Sequence, residues 1–212
     1  MAKGLLLAAF DFRTAHEDEF HDWYDTEHVP ERLAVPGFLN AERWIDSADP
    51  KIAIATYDME SVAVIDSAPY RAVGGANGTP WTKRVTGMAK RLMRFVGTQV
   101  RPGDLVAPPG AGALLMASMN VDAAVEAEFN DWYNTEHLPQ LGAVPGVLSA
   151  RRYQATDTES ERKFVALYHM VDVGVSRCDA WAKAANTPWT EKLRPHFKDA
   201  MVLRLNRYQR RG

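Results

Sequence analysis

The chain has 212 residues, 46% hydrophobic and 25% charged, with 14 glycines and 12 prolines, a composition that excludes collagen-like, mucin-like and low-complexity disordered chains. Lys plus Arg total 25 against 27 Asp plus Glu, a formal net charge of -2, so neither a nucleic-acid face nor an anionic-membrane face is expected and the expected partner is a small apolar molecule. The single cysteine, Cys178, leaves no internal disulfide and no thiolate metal cage, and reads as an inert buried thiol.

The apolar run LLLAAFDF (5–12) predicts a first strand. It is too short for a secretory h-region and far from the roughly 20 apolar residues of a membrane span, so a cytoplasmic location is expected. A helix should follow after Thr14, acidic in its first turn as the helix dipole favours, and stop at Val35-Pro36-Gly37. Pro30 falls inside it and lacks an amide donor, which predicts a kink or restart after His28. FLNAERWI (38–45) and KIAIATYDM (51–59) read as the second and third strands. A second helical region covers about 61–85, with Thr79 as a cap before Pro80. MAKRLMRFVGTQV (88–100) reads as a last strand, and the Pro- and Gly-rich stretch 101–112 as a linker.

The same order then recurs. ALLMASM (113–119) is a strand, and a helix runs from Asp122 to Val144-Pro145-Gly146 with Pro139 inside it and a break after His137. VLSARRYQ (147–154) and KFVALYHM (163–170) are strands, 173–193 is helical with Thr187 as a cap, and DAMVLRLNRYQRR (199–211) is a strand. Arg204, Arg207, Arg210 and Arg211 read as a solvated strand edge and frayed end.

This recurrence is literal. FHDWYDTEHVPERLAVPGFLNAER (20–43) over FNDWYNTEHLPQLGAVPGVLSARR (129–152) gives 15 identities in 24 ungapped positions, and Thr79-Pro80-Trp81-Thr82 returns as Thr187-Pro188-Trp189-Thr190. The chain therefore reads as a duplication with two domains, 1–108 and 109–212. Each has the order strand, helix, strand, strand, helix, strand, which is ferredoxin-like. The fold class expected is α+β: two βαββαβ repeats packed sheet to sheet, each covering the other's bare sheet face. Two such chains could associate further as a homodimer.

The run F-x-D-W-Y-x-T-E-H-x-P, followed by V-P-G and A-x-R and present twice, resembles the EthD-like branch of the dimeric α+β barrel superfamily, here as a tandem fusion. The resemblance covers both halves. It implies an intramolecular version of that barrel, in a superfamily of cofactor-independent oxygenases, lactone isomerases, polyketide cyclases and haem-binding enzymes. Fold alone does not choose among these reactions. No cofactor is called for; haem enters only by superfamily analogy, with no attachment motif to support it.

At 100° per residue, Trp23, Tyr24, Glu27 and Glu31 fall within about 60° of Phe20, with His28 at the stripe's edge, about 80° away. Trp132, Tyr133, Glu136, Gln140 and His137 repeat the pattern around Phe129. A carboxylate centred on an apolar stripe is costly unless paired or protonated. His28 and His137 are the candidate general acids or bases, histidine being suited to proton transfer near neutral pH. Glu27 and Glu136 would assist them, although neighbours on a regular helix diverge too far to pair directly. Equally, each Glu could anchor an arginine or the bent backbone, and each His could bond a carbonyl. Trp23, Tyr24, Trp81, Trp132, Tyr133 and Trp189 are candidate pocket walls or core, and Arg43 and Arg152 could hold a carboxylate or phenolate. No clustered histidine pattern suggests a metal, and no Gly-rich phosphate loop or G-x-S-x-G elbow is present.

The chain is therefore expected to be an enzyme using acid/base chemistry, of isomerase, cyclase or cofactor-independent oxygenase type, on an apolar aromatic or polyketide-like substrate. The alternative is a noncatalytic binding or assembly module in which E-H-x-P is structural.

Overall fold

Alternation along β1 (Gly4–Asp11) sends Leu5, Leu7 and Ala9 to one face and Leu6 and Phe10 to the other, and all five are buried. A strand apolar on both faces must lie between two layers. In the structure, a computed structural model describing residues 1–210, the other strands are β2 (Glu42–Asp46), β3 (Ile52–Met59), β4 (Lys90–Arg101), β5 (Ala113–Val121), β6 (Val147–Ala155), β7 (Phe164–Met170) and β8 (Phe197–Arg207). All eight pair antiparallel and close into one barrel in the order β1-β3-β2-β8-β5-β7-β6-β4.

The N-terminal half supplies the run β4-β1-β3-β2 and the C-terminal half the run β8-β5-β7-β6. The halves meet through more than their faces. Edge strands hydrogen-bond across the join, β2 to β8 and β4 to β6, so that no strand edge is left free. At Gly97 on β4, a Cβ would stand 2.5 Å from the carbonyl oxygen of Gln154, and only glycine lets the two backbones come this close. Inside the barrel Leu5, Leu7, Trp44 and Phe95 pack against Leu114, Met116, Tyr153 and Leu205. Outside it each half has a second core beneath its own helices.

The first helical segments show how the sequence handles its internal proline. Helix α1 (Glu17–Trp23) passes into a π turn (Tyr24–His28) and then α2 (Val29–Leu33); α5 (Glu126–Trp132), a π turn (Tyr133–His137) and α6 (Leu138–Gly142) repeat this. The Val29 amide donates to the Tyr24 carbonyl, five residues back, and the next residue is Pro30, which has no amide to donate. The hydroxyl of Thr26 bonds the Asp22 carbonyl at 2.7 Å and that of Thr135 the Asp131 carbonyl at 2.8 Å. The expected break is thus a widened turn followed by a restart. Gly37 and Gly146 then turn the chain at φ +96° and +93°, a region that L side chains rarely adopt.

Helices α3 (Ala68–Val73), α4 (Pro80–Met88), α7 (Asp179–Ala185) and α8 (Pro188–Leu193) complete the outer layer. Thr79 caps α4 and Thr187 caps α8, as expected from the following prolines. Two expectations need correction. Cys178 is exposed, because it sits at the N-cap of α7 where its Sγ accepts from the Trp181 amide at 3.4 Å. The C-terminal arginines are not merely solvated: Arg207 bonds Glu42 at 2.9 Å and Arg210 pairs with Asp22, while Arg211 lies outside the described residues. Among the described residues no helix is long and apolar enough to cross a membrane.

Candidate functional site

The π turn changes which side chains share a face. Residues five apart come into line, so His28 lies against Trp23 (ring centroids 4.4 Å) and His137 against Trp132 (4.3 Å), with Tyr24 and Tyr133 at 5.4 and 5.0 Å. Both histidines are therefore drawn in from the edge of the stripe where a regular helix would put them. Burial lowers His28 to a pKa of about 3, helped by the cations Arg32 and Arg43, and lowers His137 to about 4, helped by Arg194. Both imidazoles are neutral at pH 7. The Nδ1 of each is buried with no hydrogen-bond partner among the described residues.

The glutamates go elsewhere. Glu27 Oε1 accepts from the hydroxyls of Thr79 at 2.6 Å and Thr82 at 3.1 Å, and Glu136 Oε1 accepts from Thr187 at 2.5 Å. Thr79 and Thr187 are the same residues that cap α4 and α8. Each Glu therefore ties the π turn to the N-terminus of the half's later helix, where the dipole favours negative charge. An arginine partner for these carboxylates, one of the readings the sequence allowed, is not found, and as the helical spacing implied the adjacent histidine is not the partner either.

The arginines serve the same helices. Arg43 bonds Asp25 at 2.5 Å and His21 Nδ1 at 2.7 Å, held between the rings of Tyr24 and Tyr208 at 4.4 and 4.0 Å. Arg152 bonds Asn134 at 2.9 Å and Asn130 at 2.6 Å over the Tyr133 ring. With amides in place of a carboxylate, burial pulls Arg152 down to about 10. Trp81 and Trp189 are half-buried, and the indole of Trp189 donates to Glu128 at 2.9 Å.

A cavity of about 300 Å³ opens beside His137 between the sheet and the helices of the C-terminal half. Trp132, Tyr133, Tyr168, Trp181 and Phe197 give it aromatic walls, and Leu115, Met119 and Leu141 add aliphatic ones. Tyr168 donates its hydroxyl to that of Tyr133 at 3.4 Å, and burial raises both pKa values, so both stay protonated. Polar groups at the margin are Asn186, Thr190, Arg194 and Arg204. Of the candidates drawn from the sequence, this cavity brings together Trp132, Tyr133 and His137. Glu136, Arg152 and Trp189 are not in its lining.

The N-terminal half differs at the matching place. Leu141 corresponds to Arg32, which is 5% exposed, lies 5.3 Å over the Tyr70 ring and donates to the Val73 carbonyl at 3.0 Å. A buried cation that acts on His28 thus stands where the C-terminal half has Leu141 in its cavity lining. A larger cleft of about 540 Å³ lies between α1 and the C-terminal stretch, lined by Glu17, Asp18, His21, Asp22, Tyr208 and Arg210 among others. Its lining is mainly polar, Arg210 there is already paired with Asp22, and His21 is stacked on Tyr208 at 4.5 Å. The smaller aromatic cavity is the better candidate site.

Tyr168, which repeats Tyr57, lies outside the long repeated motif, and Trp181, Arg194 and Arg204 escape a reading that selects repeats. Trp181 corresponds to Tyr70, Arg194 to Thr86 and Arg204 to Val96, so the signal that could have found them is disagreement between the copies.

Residues 113–206 match a family model described as a domain of unknown function, DUF4286. No curated protein matches the sequence. Solved structures match over nearly the whole chain. An anthrone oxidase-like protein aligns with TM-score 0.66 at 10% identity, covering 99% of this chain and 92% of its own. A "putative monooxygenase" from Fusobacterium nucleatum subsp. nucleatum ATCC 25586 aligns with TM-score 0.63 at 10% identity, covering 98% and 93%. A chlorite dismutase variant from Candidatus Nitrospira defluvii, in complex with cyanide, aligns with TM-score 0.59 at 11% identity, covering 98% and 91%. The fold is that of the dimeric α+β barrel proteins.

The resemblance noted in the sequence raises the question of whether haem fits here, and the residues do not fit it. The cavity's 300 Å³ is at the low end of the roughly 300–1,000 Å³ of ligand sites, less than a tetrapyrrole with its substituents requires, and Trp132 covers one face of the His137 ring. Among the described residues no three His, Cys, Asp or Glu side chains are grouped to hold a metal ion.

Proposed function

We propose that the chain is a small-molecule enzyme that uses His137 as a general acid/base on an apolar, aromatic ligand in the C-terminal cavity. The observation that carries this reading is a neutral, half-buried imidazole in the wall of an aromatic cavity. A neutral histidine can accept a proton from an acidic C–H or O–H of the substrate and return it elsewhere, which is the common element of isomerisation and cyclisation. Tyr133 and Tyr168, protonated at neutral pH, are hydrogen-bond donors rather than bases. His28, beside the buried Arg32, is the weaker candidate, and one working site per chain is the form of the proposal. The fold neighbours, with their monooxygenase, anthrone oxidase-like and chlorite dismutase descriptions, are consistent with small-molecule chemistry.

The chain is further read as a tandem of two ferredoxin-like repeats of the EthD-like type. The same strand order in each half and the doubled E-H-x-P turn support this. The test of function is turnover: His137→Gln should abolish conversion of a substrate identified by screening, while retaining the fold.

A noncatalytic module is the second reading, and one observation favours it. The Glu27–Thr79 and Glu136–Thr187 bonds give half of the E-H pair an architectural task in both copies. Saturable ligand binding with no turnover of any screened substrate would select this reading, whereas intact turnover in His137→Gln would refute only the role of His137.

A further inference from the structure

We infer that the ligand of the C-terminal cavity is an organic anion of one or two aromatic rings whose charged oxygen is held by Arg204 and the indole N–H of Trp132. This inference rests on the reading of that cavity as the functional site and adds the class of molecule that it takes.

Charge is the first argument. Arg194 and Arg204 both line the cavity and no carboxylate does. Arg194 is already engaged by Glu191 at 2.7 Å and Asn186 at 2.6 Å. The guanidinium of Arg204 has no hydrogen bond or ion pair among the described residues, and its Nε is buried. A partly buried cation without a counter-charge bordering an apolar space is costly unless an anion completes it. Guanidinium is also the side chain best matched to an oxyanion.

A second, independent observation is the indole. Trp132 is 1% exposed and its Nε1 has no partner. In the other half the equivalent Trp23 donates to the Thr82 hydroxyl at 2.9 Å. The corresponding Thr190 hydroxyl instead shares a hydrogen bond with Thr187 at 3.0 Å. Buried indole N–H groups normally find an acceptor; Trp132 is part of the cavity lining, and the missing acceptor is assigned to a ligand oxygen. The remaining walls are aromatic and aliphatic, which suits a ring.

Size sets the third limit. An apolar cavity of about 150 Å³ takes benzene, so 300 Å³, twice that space, takes one or two rings with short substituents. Fused three-ring skeletons exceed it on the same scale. The polyketide-like substrate expected from the sequence is accordingly narrowed to compounds of one or two rings.

Affinity of the full chain for benzoate, for its neutral isostere benzamide and for anthracene-2-carboxylate, followed by calorimetry, tests this without any turnover assay. Benzoate should bind at least about tenfold more tightly than benzamide, the anthracene acid should bind worse than benzoate, and Arg204→Met should bring benzoate and benzamide close to parity while Arg204→Lys keeps part of the preference. If Arg204→Met does not fold, the Arg204→Lys result together with Trp132→Phe, which keeps the ring and loses the N–H, carries the test. Equal affinity for benzoate and benzamide, no saturable benzoate binding, or tight binding of the three-ring acid would overturn the inference. Because affinity is measured separately from catalysis, its failure leaves the role of His137 to be judged by turnover. Benzoate preference with intact turnover in His137→Gln would instead refute the acid/base reading alone.

Discussion

Asp58 on β3 and Arg151 on β6 form an ion pair at 2.7 Å across the two halves, with side-chain exposures of 2% and 1%. The positions equivalent to them, by the pairing registers of β3 with β7 and β2 with β6, are His169 and Glu42, which meet at 3.1 Å on the other side of the barrel. Acid and base have changed places between the two contacts. A barrel made of two N-terminal halves would set Asp58 against Glu42, two buried carboxylates, and one made of two C-terminal halves would set Arg151 against His169, which burial keeps neutral, leaving the guanidinium without a carboxylate. Like charges buried together and a buried charge left unpaired are both unfavourable, so these pairs favour association of the unlike halves.

Removing one partner of the Asp58–Arg151 pair should destabilise the chain by about 3–5 kcal/mol, since the other charge is left buried. Urea unfolding of Asp58→Asn, Arg151→Met and the double variant measures this. The double variant should be less destabilised than the sum of the singles, and strict additivity would show that the pair is not coupled.

The tie between Glu136 and Thr187 predicts a smaller loss. Glu136→Gln and Thr187→Val should each cost about 1–2 kcal/mol, as loss of a helix cap or charge-assisted hydrogen bond does. For a chain of this size each kcal/mol lowers Tm by roughly 2–4 °C. No change in Tm would mean that the bond does not hold the later helix.

Acid should destabilise the fold through the half-buried His28 and His137 and the buried His169. His28, His137 and His169 have native pKa values below the free value of about 6.5, with burial as the leading cause. The unfolded chain then binds more protons, so the contribution is fully present above pH 6.5 and is lost as pH falls towards about 4 for His137 and about 3 for His28. Each contributes a slope of about 1.4 kcal/mol per pH unit in that window. His28→Gln should reduce the slope of unfolding free energy against pH by that amount. An unchanged slope would show that His28 is charged in the native state.

Arg32→Leu tests the difference between the halves. It removes the side chain over Tyr70 and the bond to Val73, and should cost about 1–3 kcal/mol. It should also raise the pKa of His28 from about 3, because Arg32 is the largest charge acting on it. NMR titration of the imidazole reads this directly, and an unmoved pKa would place Arg32 away from His28 in solution.

Much of the architecture was legible because duplication repeats its own punctuation. Thr79-Pro80 and Thr187-Pro188 mark helix starts by capping chemistry, and Val-Pro-Gly marks the turns at Gly37 and Gly146 by backbone freedom. The π turn was not legible: a helical wheel assumes a constant 100°, and one widened turn rotates His28 and His137 inward onto Trp23 and Trp132. That error also misplaced Glu27 and Glu136, whose partners lie about fifty residues away on another helix. The cavity was hidden for a different reason. Repeated residues largely maintain what both halves share, whereas the cavity depends on Leu141, Trp181 and Arg204, where the copies differ.

The central claim is that proton transfer occurs at His137 and not at His28. The most direct measurement is kcat/KM for a substrate of one or two rings found by screening, compared between His137→Gln and His28→Gln. Loss of a factor of about 10²–10⁴ in the first, with wild-type values in the second, is the predicted result. Equal effects of the two substitutions, or full activity in His137→Gln, would contradict it.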